Sequence, residues 1–344
     1  MSYYSDIKQA ALADLPWNKL SGKNILITGA TGLIGSAIVE ILMSRSDIDF
    51  DIYASGRNKN RFDSLFSEFK SSPHLHFLQY DVTEPLTSSV EFHFVISAAS
   101  GANPILYSTR PVDVMKSNIM GVDNILSYCK DHGLQKMVYV SSGDVYGEGD
   151  GRVFTEEYSG YANPLSIRSC YTSSKRASET LCISYASQYG IDVSIARPCH
   201  TYGPHFTDSD TRVYAQFIRN AIKGENIIMK SSGEQFRSWC YVVDSALGIL
   251  FILLKGENCQ AYNIADDNSN ITIKELAEMI AEAGGTKVVM DIPDEVERKG
   301  YNSVSRAVFD TLKLRNLGWH IEGCIKMKID NVIEFFNNEN KNVL

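Results

Sequence analysis

Read as a pattern of apolar and polar positions, the chain begins its regular structure with a short buried-type run, Asn24-Ile-Leu-Ile-Thr28, that breaks into glycines. Apolar positions then recur at helical spacing from Leu33 onward. Between the two lie Gly29, Thr31 and Gly32, and Gly35 falls in the first turn of the helical run. Gly29 can turn the chain at the strand end, Gly32 lets backbone approach a pyrophosphate, and Gly35 lets the helix pack closely on the strand. A helix starting at Leu33 and Ile34 would aim its free N–H groups at that anion.

The alternation continues. A second strand is expected over 50–55, followed by a helix with Phe62, Leu65, Phe66 and Phe69 on one face. Further strands are expected at 75–80, 93–97, 136–141 and 192–196, with helices at 111–131 and 172–189. Strands alternating with helices predict an α/β fold, a doubly wound parallel sheet covered on both faces, with ligands outside the C-terminal strand ends. At those ends stand Gly29, Asp81-Val82, Ala98-Ala99-Ser100, Ser141-Ser142 and Arg197-Pro198.

Residues 1–22 precede the first strand and carry Leu12, Leu15, Trp17 and Leu20, enough for a short helix packed on the domain. After 198 the pattern changes to long loops, short strands and helices at 211–223, 244–255, 272–283 and 325–337. Gly284-Gly285 and Gly300 read as turns. The expected division is an N-terminal extension (1–22), a dinucleotide-binding domain (23–197) and a smaller C-terminal substrate-binding lobe (198–344), with an approximate boundary and segments free to interchange.

Composition narrows the function. The 344 residues are 44% apolar and 22% charged, and a formal charge of −8 argues against a nucleic-acid surface. The most apolar run, 246–254, is far shorter than the roughly 20 residues of a bilayer span. The N-terminus lacks a basic region followed by an apolar core, so a cytoplasmic location without membrane attachment is expected. Cys129, Cys170, Cys182, Cys199, Cys240, Cys259 and Cys324 include no C-x-x-C pair, so neither a disulfide framework nor a metal site is expected.

Candidate chemistry centres on Tyr171-Thr-Ser-Ser-Lys175. Positions i and i+4 share a helix face, so phenol and ammonium can meet. A nearby ammonium favours phenolate and would lower the tyrosine pKa from about 10 toward working pH, making Tyr171 a general base.

With these residues in place, the chain resembles an extended short-chain dehydrogenase/reductase of the nucleotide-sugar epimerase/dehydratase group, over essentially everything after residue 22. The matching motifs are Gly29-x-x-Gly32-x-x-Gly35, Asp81-Val82-Thr83, Ser141-Ser142-Gly143-Asp144-Val-Tyr146-Gly147, Tyr171-x-x-x-Lys175, Arg197-Pro-Cys-His-Thr-Tyr-Gly-Pro204 and Arg237-Ser-Trp-Cys-Tyr-Val-Val-Asp244. The resemblance implies a Rossmann-type sheet with a smaller C-terminal substrate-binding lobe. It also implies Ser142 as the catalytic hydroxyl, Tyr171 as base and Lys175 on the nicotinamide ribose. Asp81 would contact adenine, and Asn118 would lie on a helix near the cofactor. Tyr171 would take a proton from the sugar 4-hydroxyl as hydride leaves the same carbon, giving a 4-keto sugar. Epimerisation, dehydration and decarboxylation all become accessible from that ketone.

Three departures bear on the branch. Where 4,6-dehydratases carry Thr-Asp-Glu, this chain has Ser142-Gly143-Asp144, and Gly143 removes the acid for the departing 6-hydroxyl. UDP-glucuronate decarboxylases have Glu where Asp144 stands, and they resemble this chain in Arg168-Ser-Cys-Tyr171 and Arg237-Ser-Trp-Cys-Tyr-Val242. Asp144 keeps the charge with a shorter reach. His200 replaces the family's substrate-binding Asn. Decarboxylation or epimerisation is therefore expected, with a net NAD(P)H-dependent keto-sugar reductase, a 4,6-dehydratase or a dinucleotide-sensing protein as alternatives.

The second strand ends Ala54-Ser-Gly-Arg57 rather than in an acid, which suits the 2′-phosphate of NADP; the rest of the resemblance favours NAD, and the balance falls on NAD. Arg237 suits a diphosphate because a planar fork holds two oxygens, and Arg306 could reach the base or phosphates. The partner is thus a nucleotide-diphosphate sugar. A homodimer is expected through helices 111–131 and 172–189, whose faces carry Val114, Ile119, Val122, Ile125 and Leu126, then Ala177, Leu181, Tyr185 and Tyr189.

Overall fold

The computed structural model describes residues 2–207, 209–291 and 306–342, so the expected turn at Gly300 lies outside the described residues. In chain order the elements are α1 (Tyr3–Ala11), β1 (Asn24–Thr28), α2 (Leu33–Met43), β2 (Asp51–Gly56), α3 (Lys59–Leu65), β3 (Leu75–Gln79) and β4 (Phe94–Ser97). They continue with α4 (Pro104–Thr109), α5 (Pro111–Cys129), β5 (Lys136–Val140), α6 (Ser169–Tyr189), β6 (Val193–Pro198), β7 (His200–Tyr202), α7 (Val213–Ile222) and β8 (Ile227–Met229). The last are β9 (Phe236–Tyr241), α8 (Val242–Lys255), β10 (Ala261–Ile264), β11 (Asn270–Thr272), α9 (Ile273–Ala283), β12 (Val288–Met290), β13 (Arg306–Ala307), α10 (Leu312–Arg315) and α11 (Ile325–Asn342).

Seven parallel strands form the main sheet in the order β3-β2-β1-β4-β5-β6-β10. Side-chain alternation explains why its strands read as continuous apolar runs. Ile25 and Ile27 of β1, Phe94 and Ile96 of β4, and Val138 and Val140 of β5 enter the core beneath α1, α2 and α8. Leu26, Val95, Met137 and Tyr139 point the other way, into the core beneath α5 and α6. Both faces are buried, as a parallel sheet requires. The strand order reverses between β1 and β4, which opens a crevice at their C-terminal ends.

Residues placed after the 197/198 division return to this sheet. β10 pairs with β6, and α8 is buried against the face that also carries α2. Four residues with a buried Asn263 give β10 little period-2 signal; that asparagine is held instead by Phe154 O and Asp310 O at 2.9 and 3.0 Å. A separate sheet, β11-β9-β13 with β7 also on β9, supplies the far side of the cleft through β7, β9 and β13, and β12 pairs with β8 apart from the cleft lining.

The N-terminal extension is a built part of the fold. Ser2 and Ser5 form a capping box that starts α1, and Tyr3, Ile7, Leu15, Trp17 and Leu20 are buried. Leu12, expected to pack, is 71% exposed instead. The expected dimer face also needs correction: Val122, Ile125 and Leu126 are buried with α6 against the same sheet face, and Val114 is buried against Cys170 and Tyr171 of α6. Val112, Met115 and Met120 of α5, with Ala177, Ile183 and Tyr189 of α6, are among the exposed residues.

Candidate active site

A cleft of about 1630 Å³ runs from the glycine turn after β1, across the ends of β4 and β5, to β7, β9 and the segment entering α7. Single small-molecule pockets run to roughly 1,000 Å³, so this one has room for two ligands end to end. At its first end, Gly29 has φ +67°, and a Cβ there would press on Ala98 and Ala99 at 2.8–2.9 Å. A Cβ on Gly35 would meet Gly29 O at 2.3 Å. Helix α2 starts from Gly32 with no side-chain cap, so its first N–H groups face the cleft wall formed by Thr31, Leu33 and Ile34. The turn is a backbone cradle for a pyrophosphate, and the residues fit a dinucleotide.

Midway along the cleft the sheet delivers Ser142 and helix α6 delivers Tyr171 and Lys175. Ser142 caps the short 3-10 turn Gly143–Tyr146, accepting from Asp144 N at 3.2 Å. The hydroxyls of Ser142 and Ser100 stand beside the Tyr171 phenol and favour its ionised form. Lys175 Nζ donates to Val140 O at 2.8 Å and lies 5.8 Å from the Tyr171 ring centroid. Asn118 on α5 joins the pieces: Ser100 donates to its Oδ1 at 2.7 Å and its Nδ2 donates to Ser174 at 2.8 Å.

The expected downward shift of Tyr171 is not present in this protein without ligand. Burial pushes its pKa up to about 12, the nearby Asp144 charge adds to the rise, and the two serine hydroxyls and Arg212 pull against it. Burial also drives Lys175 down to about 7. An ammonium so desolvated, and held on Val140 O, is a weak counter-charge for the phenol. Desolvation therefore outweighs pairing at this site.

Toward the far end stand Asp144, Arg168, His200, Arg212 and Arg237. Asp144 is open to the cleft, yet the surrounding protein raises its pKa by desolvation, offset in part by Arg237, Arg168 and Lys175. Arg237 Nη1 donates to His200 Nε2 at 2.7 Å. Burial, then Arg237 and Arg212, depress His200 to about 3, so it is neutral. Gly143 packs on the Phe309 ring so closely that a Cβ would lie 2.3 Å from Phe309 Cζ.

Not every expected residue is gathered here. Arg197 is turned away from the cleft, its guanidinium held by Glu179 at 2.7 and 3.0 Å, by Glu156 O and by the Tyr146 hydroxyl; only Pro198 of that pair lines the cleft. Arg306 is exposed and lies over Phe236, away from the lining. Arg57 is 80% exposed and stands 3.7 Å from Asp81, whose Oδ1 accepts from Thr83. Those Thr83 bonds, more than Arg57, hold the Asp81 carboxyl below its ordinary value.

Sequence reading missed Tyr107, Arg212 and Phe309. Tyr107 stacks on Tyr171 at 4.8 Å between centroids. Arg212 is bound through Nε and Nη2 to Asp210 and Tyr214 beside Tyr171. Tyr107 comes from the six-residue helix α4, too short to show a clear periodicity, and Arg212 from the irregular stretch before α7, although Asp210-x-Arg212 before a helix was a visible charged pair. Phe309 reaches the site from the far end of the chain through the bridge between residues 154 and 309.

Residues 25–265 match the model of the NAD dependent epimerase/dehydratase family. UDP-glucuronic acid decarboxylase 6 of Arabidopsis thaliana is 35% identical over 286 residues, 81% of this chain and 80% of its own. Among solved structures, UDP-glucose 4-epimerase of Thermotoga maritima with UDP-glucose has a TM-score of 0.78 at 23% identity, covering 92% of this chain and 99% of its own. The dTDP-glucose 4,6-dehydratase DesIV of Streptomyces venezuelae with NAD bound has a TM-score of 0.79 at 23% identity, covering 93% and 98%.

Proposed function

The chain belongs to the NAD dependent epimerase/dehydratase family, and from that premise we propose that it oxidises the C4 hydroxyl of a nucleotide-diphosphate sugar and then decarboxylates or epimerises the 4-keto product. The observation that carries the reading is the meeting of Ser142, Tyr171 and Lys175 midway along a cleft with a glycine cradle at one end and Arg168, Arg212 and Arg237 at the other. The glycine turn, Asp81-Val82, Ala98-Ala99 and Lys175 would hold NAD. Bound NAD supplies a hydride acceptor and later donor for the sugar carbon.

Tyr171 takes the 4-hydroxyl proton, and Ser142 keeps the oxygen in line by hydrogen bond. Arg237 and Arg168 offer guanidinium forks to diphosphate or carboxylate oxygens. Asp144, raised but ionisable, is the carboxyl nearest the reacting end and serves proton transfer at C5 or orientation of a C6 carboxylate. With Phe309 packed against Gly143, position 143 has no room for the acid that 4,6-dehydratases carry there, which favours decarboxylation or epimerisation over dehydration.

Incubation with UDP-glucuronate, UDP-glucose, UDP-N-acetylglucosamine and dTDP-glucose, read by mass spectrometry and at 340 nm, tests this. Loss of carbon dioxide or isomerisation at constant mass, with no net change at 340 nm, is the expected result. Stoichiometric consumption of NAD(P)H would point to a net reductase, and no reaction with any sugar to a binding protein.

We also infer a homodimer through the exposed faces of α5 and α6 and a cytoplasmic location. Met115, Met120 and Ile183 supply the apolar area for the first. All seven cysteines are free, in keeping with a reducing compartment, and no helix among the described residues is long and apolar enough to cross a membrane. Sedimentation as a monomer at micromolar concentration would remove the dimer.

A further inference from the structure

His205 is a non-glycine residue held at φ 67°, in the left-handed region, one residue beyond the Tyr-Gly-Pro motif. Such a conformation persists where surroundings impose it. Its imidazole is boxed on several sides. Tyr3 of α1 and Phe335 of α11 meet it edge-on at 5.4 and 5.0 Å, and Nε2 stands 3.2 Å from Oε1 of Glu40 on α2. Tyr3 and Phe335 also touch each other at 5.4 Å, and the Tyr3 hydroxyl donates to the other oxygen of Glu40, a carboxylate 2% exposed.

The backbone of His205 is engaged as well. Arg61 donates to its carbonyl at 3.0 Å and, through Nε, to the carbonyl of Thr31 in the glycine turn at 3.0 Å. One guanidinium thus spans the two halves of the cleft. Phe206, which follows, lines the cleft and packs on Tyr214 and Phe336. Farther along the same segment, Asp210 holds Arg212 beside Tyr171. Asn103 clasps it from the opposite wall, donating to Ser209 O and accepting from Thr211 Oγ1, both at 2.7 Å.

We propose that His205 is a positioning residue: caged by Tyr3, Glu40 and Phe335, it sets residues 203–207 and 209–212 between β7 and α7 and hence the grip of Arg212 on the sugar. The N-terminal helix, which precedes the family-matched residues 25–265, thereby acts on substrate binding rather than only on stability. Helix α2 carries Glu40 on the same body that starts at the glycine turn, so the cage fixes the spacing between the dinucleotide and sugar ends. This inference rests on the sugar lying at the Arg212 end of the cleft.

Two variants test it: Tyr3→Phe, which loses one hydroxyl, and His205→Asn, which tolerates the left-handed backbone but lacks the ring. Amide hydrogen exchange is read on 203–207 and 209–212, which requires no substrate, beside thermal unfolding, NAD affinity and UDP-glucuronate kinetics. Both variants should exchange faster in those segments and raise the KM for the sugar nucleotide about fivefold to tenfold, with kcat and NAD affinity within about twofold.

A lower unfolding temperature with unchanged segment exchange and unchanged KM would show a structural role only and overturn the proposal. Failure of His205→Asn to fold leaves Tyr3→Phe to decide by the same readings. Should the wild type turn over none of the sugars, the functional reading falls by itself; unchanged exchange in Tyr3→Phe would still sink the proposal, and faster exchange would support the cage.

Discussion

Arg237 donates through Nη1 to Nε2 of His200 at 2.7 Å, which makes Nδ1 the protonated nitrogen of a neutral imidazole. The histidine therefore orients the guanidinium that is proposed to hold the diphosphate. His200→Ala should raise the KM for the sugar nucleotide about tenfold, the effect of losing roughly 1.5 kcal/mol in one charged hydrogen bond. Nitrogen NMR of the imidazole should show the Nδ1–H tautomer at neutral pH.

The same pairing has a pH signature. The folded-state pKa near 3 lies below the unfolded value of about 6.5, so the unfolded chain binds the extra proton between them. Stability from this group is complete above about pH 6.5 and is lost as pH falls toward 3. Urea midpoints across that window should drop with acidification, and less steeply in His200→Gln. Equal slopes would show that the imidazole is not held neutral.

Tyr171→Phe should abolish turnover while cofactor still binds, because only the ionisable oxygen goes. In ligand-free protein the difference absorbance of phenolate near 295 nm should place Tyr171 ionisation close to pH 12. Lys175, depressed to about 7 against about 10.5 unfolded, favours the neutral form in the fold; stability should rise with pH between those values, and Lys175→Met should remove that rise. The same variant should lose both activity and cofactor affinity. Near-wild-type rates in Tyr171→Phe would exclude it as the base.

Gly143 and Phe309 make a paired constraint. A Cβ on residue 143 would meet the Phe309 ring at 2.3 and 2.6 Å, and that ring is buried between Tyr146 and Phe154. Gly143→Ala should cost about 1–3 kcal/mol by overpacking, measured by urea unfolding. Gly143→Asp should therefore yield no dehydrated sugar product unless Phe309 is also reduced. A single Gly143→Asp variant that folds normally and releases water from the sugar would refute this account.

How far the residues themselves disclosed this arrangement depended on range. Gly29, Gly32 and Gly35 were legible because each answers a local steric demand, and the apolar strands because both sheet faces are buried. The proposed site residues Tyr171 and Lys175 were suggested by their helical spacing, and Ser142 by the family resemblance at a strand end. Arg197 was misread because its real partner, Glu179, sits on α6 and no spacing announces a contact across 18 residues. The tyrosine shift had the wrong sign, since burial of both groups is set by the whole fold and not by their i, i+4 relation. Phe309 and the Tyr3–Glu40–His205 cage join residues distant in the chain, which only tertiary packing reveals.

Cofactor choice turns on Arg57. Its side chain is 80% exposed and 3.7 Å from Asp81, so it is a solvated group already offset by a carboxylate. A 2′-phosphate brought to it would meet that carboxylate too, and exposed ion pairs contribute no more than about 1 kcal/mol. Wild type should accordingly bind NAD at least as tightly as NADP in calorimetric titration of cofactor-free protein. Arg57→Ala should leave NAD affinity nearly unchanged and weaken NADP by no more than about 1 kcal/mol, short of the roughly 1.5 to 3 expected for a buried charged hydrogen bond. A wild-type preference for NADP that vanishes in Arg57→Ala would reverse the assignment of NAD. Ser142, Tyr171 and Lys175 would keep their roles in either case, because the 2′-phosphate belongs to the adenosine half of the dinucleotide and hydride transfer to the nicotinamide half.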